Sequence, residues 1–394
     1  MTDTARSHGV AASEGPGTRP ALPRGLIVLL GLAAAVVTAA GVRAMAWLVG
    51  PVFLALVLVI AVAPVRDRLT RRGLPGWLST LVLVLAVYAV LLVMSGVVVV
   101  SVARLATVVP QYADQAQRLV TSATDTLQQF GVGPAQLRAA EDSLDWGNVA
   151  VLLGSVLEGV AGLAANLVLL LALVLFLTVD ASGIGARLAA IGGDRPQIVT
   201  ALHGFAANTR TYLVVTTVFG LVVAVLDSVA LLLLGVPLAI TWGVLSFITN
   251  FIPNIGFVLG LVPPAVLGLL EGGWGTAVAV IVVYGVLNFV IQSLIQPRFI
   301  GNSVGLSVTV SFVSLVFWAW LIGPLGAVLA IPLTLLAKAL LVDVDPRAGW
   351  ADALLRDHPE RLSPDDDGRR AGGPARPADE AGAEGGTAAG GTPT

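Results

Sequence analysis

TYLVVTTVFGLVVAVLDSVALLLLGVPLAITWGVLSFITNFIPNIGFVLG, residues 211–260, carries one charge, Asp227. The apolar character continues to Ala337, and the 127 residues from Thr211 hold only Asp227, Glu271 and Arg298 as charges. A segment this apolar on every side is at home in hydrocarbon and not in water. The whole chain follows suit, with 56% hydrophobic and 12% charged residues, where a soluble chain has about 25% charged. The fold class is therefore all-α: a polytopic integral membrane protein whose functional partner is the lipid bilayer.

Working outward, a helix needs about 20 apolar residues to cross. Residues 25–63 contain one charge, Arg43, and give two spans, 25–42 and 46–63, joined by a turn near Arg43. A third span lies in 73–103, a fourth in 149–179 and a fifth in 211–234. Polar stretches at 104–148 and 180–210 separate them, the first reading as a small helical insert and the second as containing an amphipathic helix. Residues 237–270 would extend about 51 Å as one helix, too long for the roughly 30 Å hydrocarbon layer. They contain Pro253, Gly256, Pro263 and Pro264. Residues 305–341 are similarly interrupted by Gly323-Pro324 and Pro332, with an ordinary span at 274–296 between the two. The count is about eight transmembrane segments, two of them Gly/Pro-broken helices or re-entrant hairpins of the sort that line a substrate path. The competing reading is long kinked helices used only for packing.

The first 24 residues read as a disordered N-terminus and 343–394, rich in Pro, Gly, Ala and charge, as a disordered tail. The transmembrane domain is 25–342. Orientation follows arginine placement. Arg66, Arg68, Arg71 and Arg72 put their loop in the cytoplasm, with both termini, and 104–148 falls outside.

Several function classes are excluded. Without cysteine there is no disulfide, thiolate nucleophile or cysteine metal site, and His8, His203 and His358 do not cluster. No phosphate-binding loop, dinucleotide glycine pattern or hydrolase motif occurs, so no catalytic residue, cofactor or metal is expected and the chain does not read as an enzyme. A net charge of −2 without a basic patch gives no sign of nucleic acid binding.

Three places could carry transport chemistry. Asp227 lies mid-span, where a carboxylate is expensive unless paired, solvated or protonated, and marks a proton or cation site; a protonated structural Asp is the plainer alternative. Asn250 and Asn254 are one helical turn apart beside Pro253, which frees a backbone carbonyl, and before Gly256; Pro-Asn-x-Gly is also good turn chemistry. Asn288, Gln292 and Gln296 repeat at i, i+4 and i+8 and make one polar stripe, suited to a pore lining or to hydrogen bonds between helices.

Taken together these stretches resemble a known family. GVPLAITWGVLSFITNFIPNIGFVLGLVPPAVLGLLEGG (235–273) looks like the signature of the AI-2E (autoinducer-2 exporter-like) transporters, once grouped as uncharacterised permeases. VAPVRDRLTRRGLPGWLSTLVLVL (62–85) and IQPRFIGNSVGLSVTVSFVSLVFWAWLIGPLGAVLAIPLTLLAKALL (295–341) are similar to the family's other blocks. The resemblance implies a bacterial inner-membrane protein of about eight spans, often a homo-oligomer. It also implies export of a small solute such as autoinducer-2, with sodium–proton antiport as an alternative. A membrane scaffold without flux is a further alternative, suggested by the tail and the polar stretches. In one departure, Phe257 stands where the family pattern has Pro after Ile255-Gly256.

Overall fold

The polar and apolar residues of one long helix show how this chain is solvated. In the computed structural model, Pro196–Leu233 is a single helix. Its buried face carries Thr209, Tyr212, Thr216, Gly220 and Asp227, while Val214, Val218, Leu221 and Val225 stand exposed on the rest of it. Polar inside and apolar outside is the pattern that lipid, not water, selects.

The structure describes residues 23–129, 146–253, 255–296, 299, 306–345 and 355, all within the compact unit Met1–Asp357. In chain order the helices are α1 (Arg24–Ala44), α2 (Ala46–Arg71), α3 (Gly76–Val108), α4 (Ala113–Gln129), α5 (Trp146–Asp180), α6 (Ile184–Gly192), α7 (Pro196–Leu233), α8 (Ala239–Thr249), α9 (Gly256–Asn288), α10 (Val308–Ile322), α11 (Pro324–Val328) and α12 (Ala330–Lys338). A π-helix, Phe289–Ile295, continues α9 and another, Ala339–Asp343, continues α12. The described residues are helical throughout, as expected, with five stretches long and apolar enough to cross a membrane and three shorter apolar helices.

Two boundaries differ from the sequence reading. Only Met45 separates α1 from α2; its N–H still reaches the Gly41 and Val42 carbonyls, and its carbonyl accepts from Leu48 and Val49. The helical ladder thus runs past Gly41 and Arg43 and is interrupted only at Met45, in place of a turn near Arg43. The amphipathic segment ahead of the fifth span belongs to α7 itself: Pro196 starts the helix at its first turn, where Pro is tolerated, and nothing between it and Leu233 breaks it.

Both interrupted segments fold back on themselves. At Gly273 (φ 70°, ψ −166°) α9 reverses. A Cβ on Gly268 would touch Thr276 and Val280 at 3.4 Å, whereas positions 268 and 280 would be about 18 Å apart along a straight helix. The stretch Gly256–Ile295 is therefore two limbs and not one long span. α8, a tight turn at 250–255 and the first limb of α9 form one helical hairpin. The second is α10 with α11–α12, reversed at Gly323 (φ 88°, ψ −155°) and tied by Trp318 Nε1 donating to Thr334 Oγ1 at 3.0 Å.

α7 is the spine between them. Its first half packs Ala201, Phe205 and Tyr212 with Phe53 and Val57 of α2 and with Leu321, Leu329, Ile331, Leu333 and Leu335 of the second hairpin. Its far end packs Leu231 with Val236, Ala239 and Trp242 of the first hairpin's leading limb and Ala265, Leu267, Val280 and Tyr284 of α9. A Schellman turn makes that junction: Gly235 is left-handed (φ 72°) and Val236 N–H donates to Leu231 O at 2.9 Å, with both side chains in one core. A third cluster, Ala55, Val87, Leu170 and Val174, joins α2, α3 and α5. Trp242 belongs to the core and donates to Pro237 O at 3.0 Å, unlike exposed Trp47, Trp77 and Trp274, which suit a membrane interface.

The polar insert is anchored. Tyr112, at the end of the 3₁₀ turn after α3, is buried and donates to Glu271 Oε1 at 2.6 Å. Glu271 directly precedes the Gly272-Gly273 reversal, so the insert grips the base of the first hairpin. Leu105 and Val108 pack on the same core.

Candidate functional site

The buried face of α7 meets the first hairpin where small residues allow it. A Cβ on Gly243 would lie 1.8 Å from Ser228 Oγ and 2.8 Å from Ala224 O, and one on Gly220 would lie 2.7 Å from Asn250 Nδ2. α8 consequently lies flush on α7, and its polar side chains reach across. Ser246 Oγ donates to Asp227 Oδ2 at 2.7 Å. One turn on, Asn250 Nδ2 donates to Thr216 O at 3.1 Å. Tyr212 hydroxyl donates to Phe251 O at 3.2 Å.

From Asn250 the polar contacts continue into α9. Gln292 Nε2 donates to Asn250 Oδ1 at 3.1 Å and to Asn288 Oδ1 at 2.6 Å, and Asn288 Nδ2 donates to Tyr284 O at 2.9 Å. Two of the candidate groups read from the sequence, the hairpin-tip amide and the polar stripe, are thus one connected network. The π-helix Phe289–Ile295 carries Gln292; such departures from α geometry recur at functional sites. Gln296 is half-buried at the end of that π-helix, and no hydrogen bond among the described residues joins it to the network. The hydrogen-bonded part of the stripe is therefore Asn288 and Gln292, extended backward to the Tyr284 carbonyl.

Pro253 breaks the helix as expected, but the carbonyl it would free is used. Ile252 N–H donates to Thr249 O at 2.8 Å, and Ile255 N–H donates to Pro253 O at 2.7 Å. The turn closes so tightly that a Cβ on Gly256 would sit 1.9 Å from Thr249 O. Pro253 and Gly256 thus shape the tip and offer no open carbonyl at Thr249. Asn254, Pro297 and Arg298 lie outside the described residues.

Asp227 has no exposed surface. Its Oδ2 is held by Ser246, while Oδ1 has no hydrogen-bond partner. Across the junction the Tyr284 hydroxyl lies near this carboxylate and makes a loose contact with Ser246, short of a well-formed hydrogen bond. Thr209 Oγ1 is buried without a partner, and Thr216 Oγ1 has only a loose contact with the Tyr212 hydroxyl, although Thr hydroxyls in helices commonly bond back to the preceding turn. Among the described residues these four are the buried side-chain oxygens without a well-formed hydrogen bond. All lie on, or against, one face of α7, over about 27 Å of helix from 209 to 227. Buried polar atoms are nearly always satisfied, and exceptions mark water, ions or function.

At the other end of this face, Arg210 Nε donates to Ile60 O at 3.3 Å. Pro64 lies four residues beyond Ile60 in α2 and cannot supply the usual N–H, so the arginine fills that gap.

The family profile described as "AI-2E family transporter" matches residues 28–344. A Haemophilus influenzae protein named "Putative transport protein" is 29% identical over 331 residues, covering 83% of this chain and 95% of its own. "Putative transport protein YhhT" of Escherichia coli (strain K12) is 29% identical, over 80% of this chain and 90% of its own. "AI-2 transport protein TqsA" of the same strain is 27% identical, over 80% of this chain and 92% of its own.

Proposed function

Because the chain belongs to the AI-2E transporter family, we propose that it carries a small polar solute along the buried face of α7. One observation supports this route above others: the oxygens of Thr209, Thr216, Asp227 and Tyr284, all short of a well-formed hydrogen bond, follow that face. In a membrane interior such groups are expensive and mark a pathway. The amides of Asn250, Asn288 and Gln292 border it, and with Pro253, Asn254, Gly256 and Gln296 they complete the candidate site. Amides donate and accept, which suits an uncharged, hydroxyl-rich solute. An autoinducer-2-like signal is such a solute, and the E. coli relative named for AI-2 transport supports testing it first. The activity is secondary transport without covalent catalysis or a cofactor, and the working unit is a homo-oligomer.

A second reading, cation–proton antiport, draws on Asp227 alone. Reconstituted vesicles separate the two. Autoinducer-2 flux above that of protein-free vesicles supports solute transport; sodium-driven proton movement without it supports antiport. Loss of both would leave a scaffold.

The membrane is the bacterial cytoplasmic membrane, with both termini and residues 66–72 inside and 104–148 outside. The chain has no cysteine of its own, so Thr70→Cys provides a single label. It should react with an impermeant thiol reagent in inverted vesicles and not in intact cells; labelling in intact cells would reverse the topology.

A further inference from the structure

The junction of α7, α8 and α9 bears on what is coupled to transport, and we infer that Asp227 is a proton carrier whose charge sets the grip of α8 on α7. The inference uses the pathway above only as the proton's route.

The oxygen set decides between proton and metal cation. Asp227, Ser246 and Tyr284 bring four side-chain oxygens to the junction, one already hydrogen-bonded to another. A hard cation stripped of water takes roughly six oxygens, and membrane sites recruit the missing ones from unwound backbone. No unwound backbone is at hand: α7 is regular around Asp227, Ser228 Oγ occupies Ala224 O at 2.7 Å, and Ser246 O accepts from Asn250 N–H. Gly243 brings α8 so close to Ala224 and Ser228 that even a methyl group would collide. A proton needs none of this room. It binds Oδ1, the carboxylate oxygen without a hydrogen-bond partner, turning the carboxylate into an acid, and leaves by the same oxygen. On loading, one O–H bond of hydronium breaks as the Oδ1–H bond forms, and on release the proton returns to water.

Protonation also changes the contact with Ser246. A hydroxyl bonds an ionised carboxylate more strongly than a neutral acid. Ser246 and Asn250 are one turn apart on α8 and both reach α7. The proton at Asp227 and the amide that borders the solute route are therefore linked through one short helix.

Other ionisable groups do not compete for this role. α8 has none. α9 has Tyr284 and Glu271, the latter held by Tyr112. α3 has Arg104 and Tyr88, whose hydroxyl donates to Leu171 O. His203 and Arg210 of α7 lie at least 17 residues, about 25 Å, along the helix from Asp227. Arg66, Asp67, Arg68 and Arg71 of α2, with Lys338 and Asp343, belong to elements packed against that same far half.

The test is infrared difference spectroscopy of the full chain in phosphatidylethanolamine–phosphatidylglycerol vesicles, stepped from alkaline to acid pH. A protonated-carboxyl C=O band should appear on acidification, be missing from Asp227→Asn, and keep the same midpoint in sodium, lithium or choline chloride. Ser246→Ala should move this band to higher frequency, as for an acid carbonyl that has lost a donor. That shift identifies the residue even if Asp227→Asn is recovered poorly. A band unchanged by both substitutions, or a midpoint displaced as sodium rises, would overturn the inference. No transported solute is needed, so the outcome is independent of the flux assay.

Discussion

Asp227→Asn should reduce solute-coupled proton movement to the level of protein-free vesicles while leaving the protein folded. Asparagine keeps the shape and an acceptor for the Ser246 hydroxyl, but it cannot take up and release a proton. Nothing is lost from packing, since Asp227 is fully enclosed and the two side chains are nearly isosteric. The thermal midpoint in detergent should stay within a few degrees. Proton movement is read with an enclosed pH-sensitive dye under an autoinducer-2 gradient. Gln292→Leu provides the contrast: it removes the amide that joins Asn250 to Asn288 and should lower flux without altering its pH dependence. If Gln292→Leu shifted the pH profile and Asp227→Asn did not, the roles assigned to the two residues would be wrong.

Gly256→Ala should have the largest effect on folding. Its new methyl would lie 1.9 Å from Thr249 O and 2.7 Å from the Thr249 carbonyl carbon, both backbone atoms that cannot swing aside. Gly326→Ala makes the same collision in the second hairpin, 2.0 Å from Trp318 O. Overpacking of this kind costs about 3 kcal/mol or more, and here it prises open a hairpin tip. Fluorescence-detected size-exclusion should show loss of the monodisperse peak for each. Gly96→Ala and Gly285→Ala, where an added Cβ meets nothing, should leave the peak intact and gain up to ~1 kcal/mol of helix propensity. Equal behaviour of the four variants would mean that the hairpins are not packed as described.

Much of this architecture is legible in the sequence because lipid makes charge so informative. The gaps between Arg43, Arg66, Arg104, Asp180 and Arg210 bracket the spans, and a length argument was enough to show that 237–270 and 305–341 had to break. Helix continuity was harder. The amphipathic period before Thr211 is the same 3.6-residue period as the span after it, so only the unbroken run from Pro196 shows that they are one helix. At the site, Asp227 and the amides stood out as rare polar residues in an apolar field. Tyr284 did not, although its position one turn before Asn288 extends the same stripe backward. Thr209 and Thr216 were hidden because a lone threonine in a membrane helix usually satisfies itself. The Tyr112–Glu271 contact joins residues 159 apart, and no local pattern announces it. Gln296 follows the π-helix Phe289–Ile295, whereas Gln292, within it, is the stripe residue that reaches Asn250.

The central claim, that the buried face of α7 is a polar route and not a dry packing seam, is tested most directly by thiol chemistry in this cysteine-free chain. Thr216→Cys is compared with Val218→Cys, which stands exposed on the apolar side of the same helix. Charged alkylating reagents attack the thiolate, which forms only where water reaches. The route predicts that Thr216→Cys reacts in vesicles and Val218→Cys does not. An inert Thr216→Cys, in a protein that still transports, would contradict it.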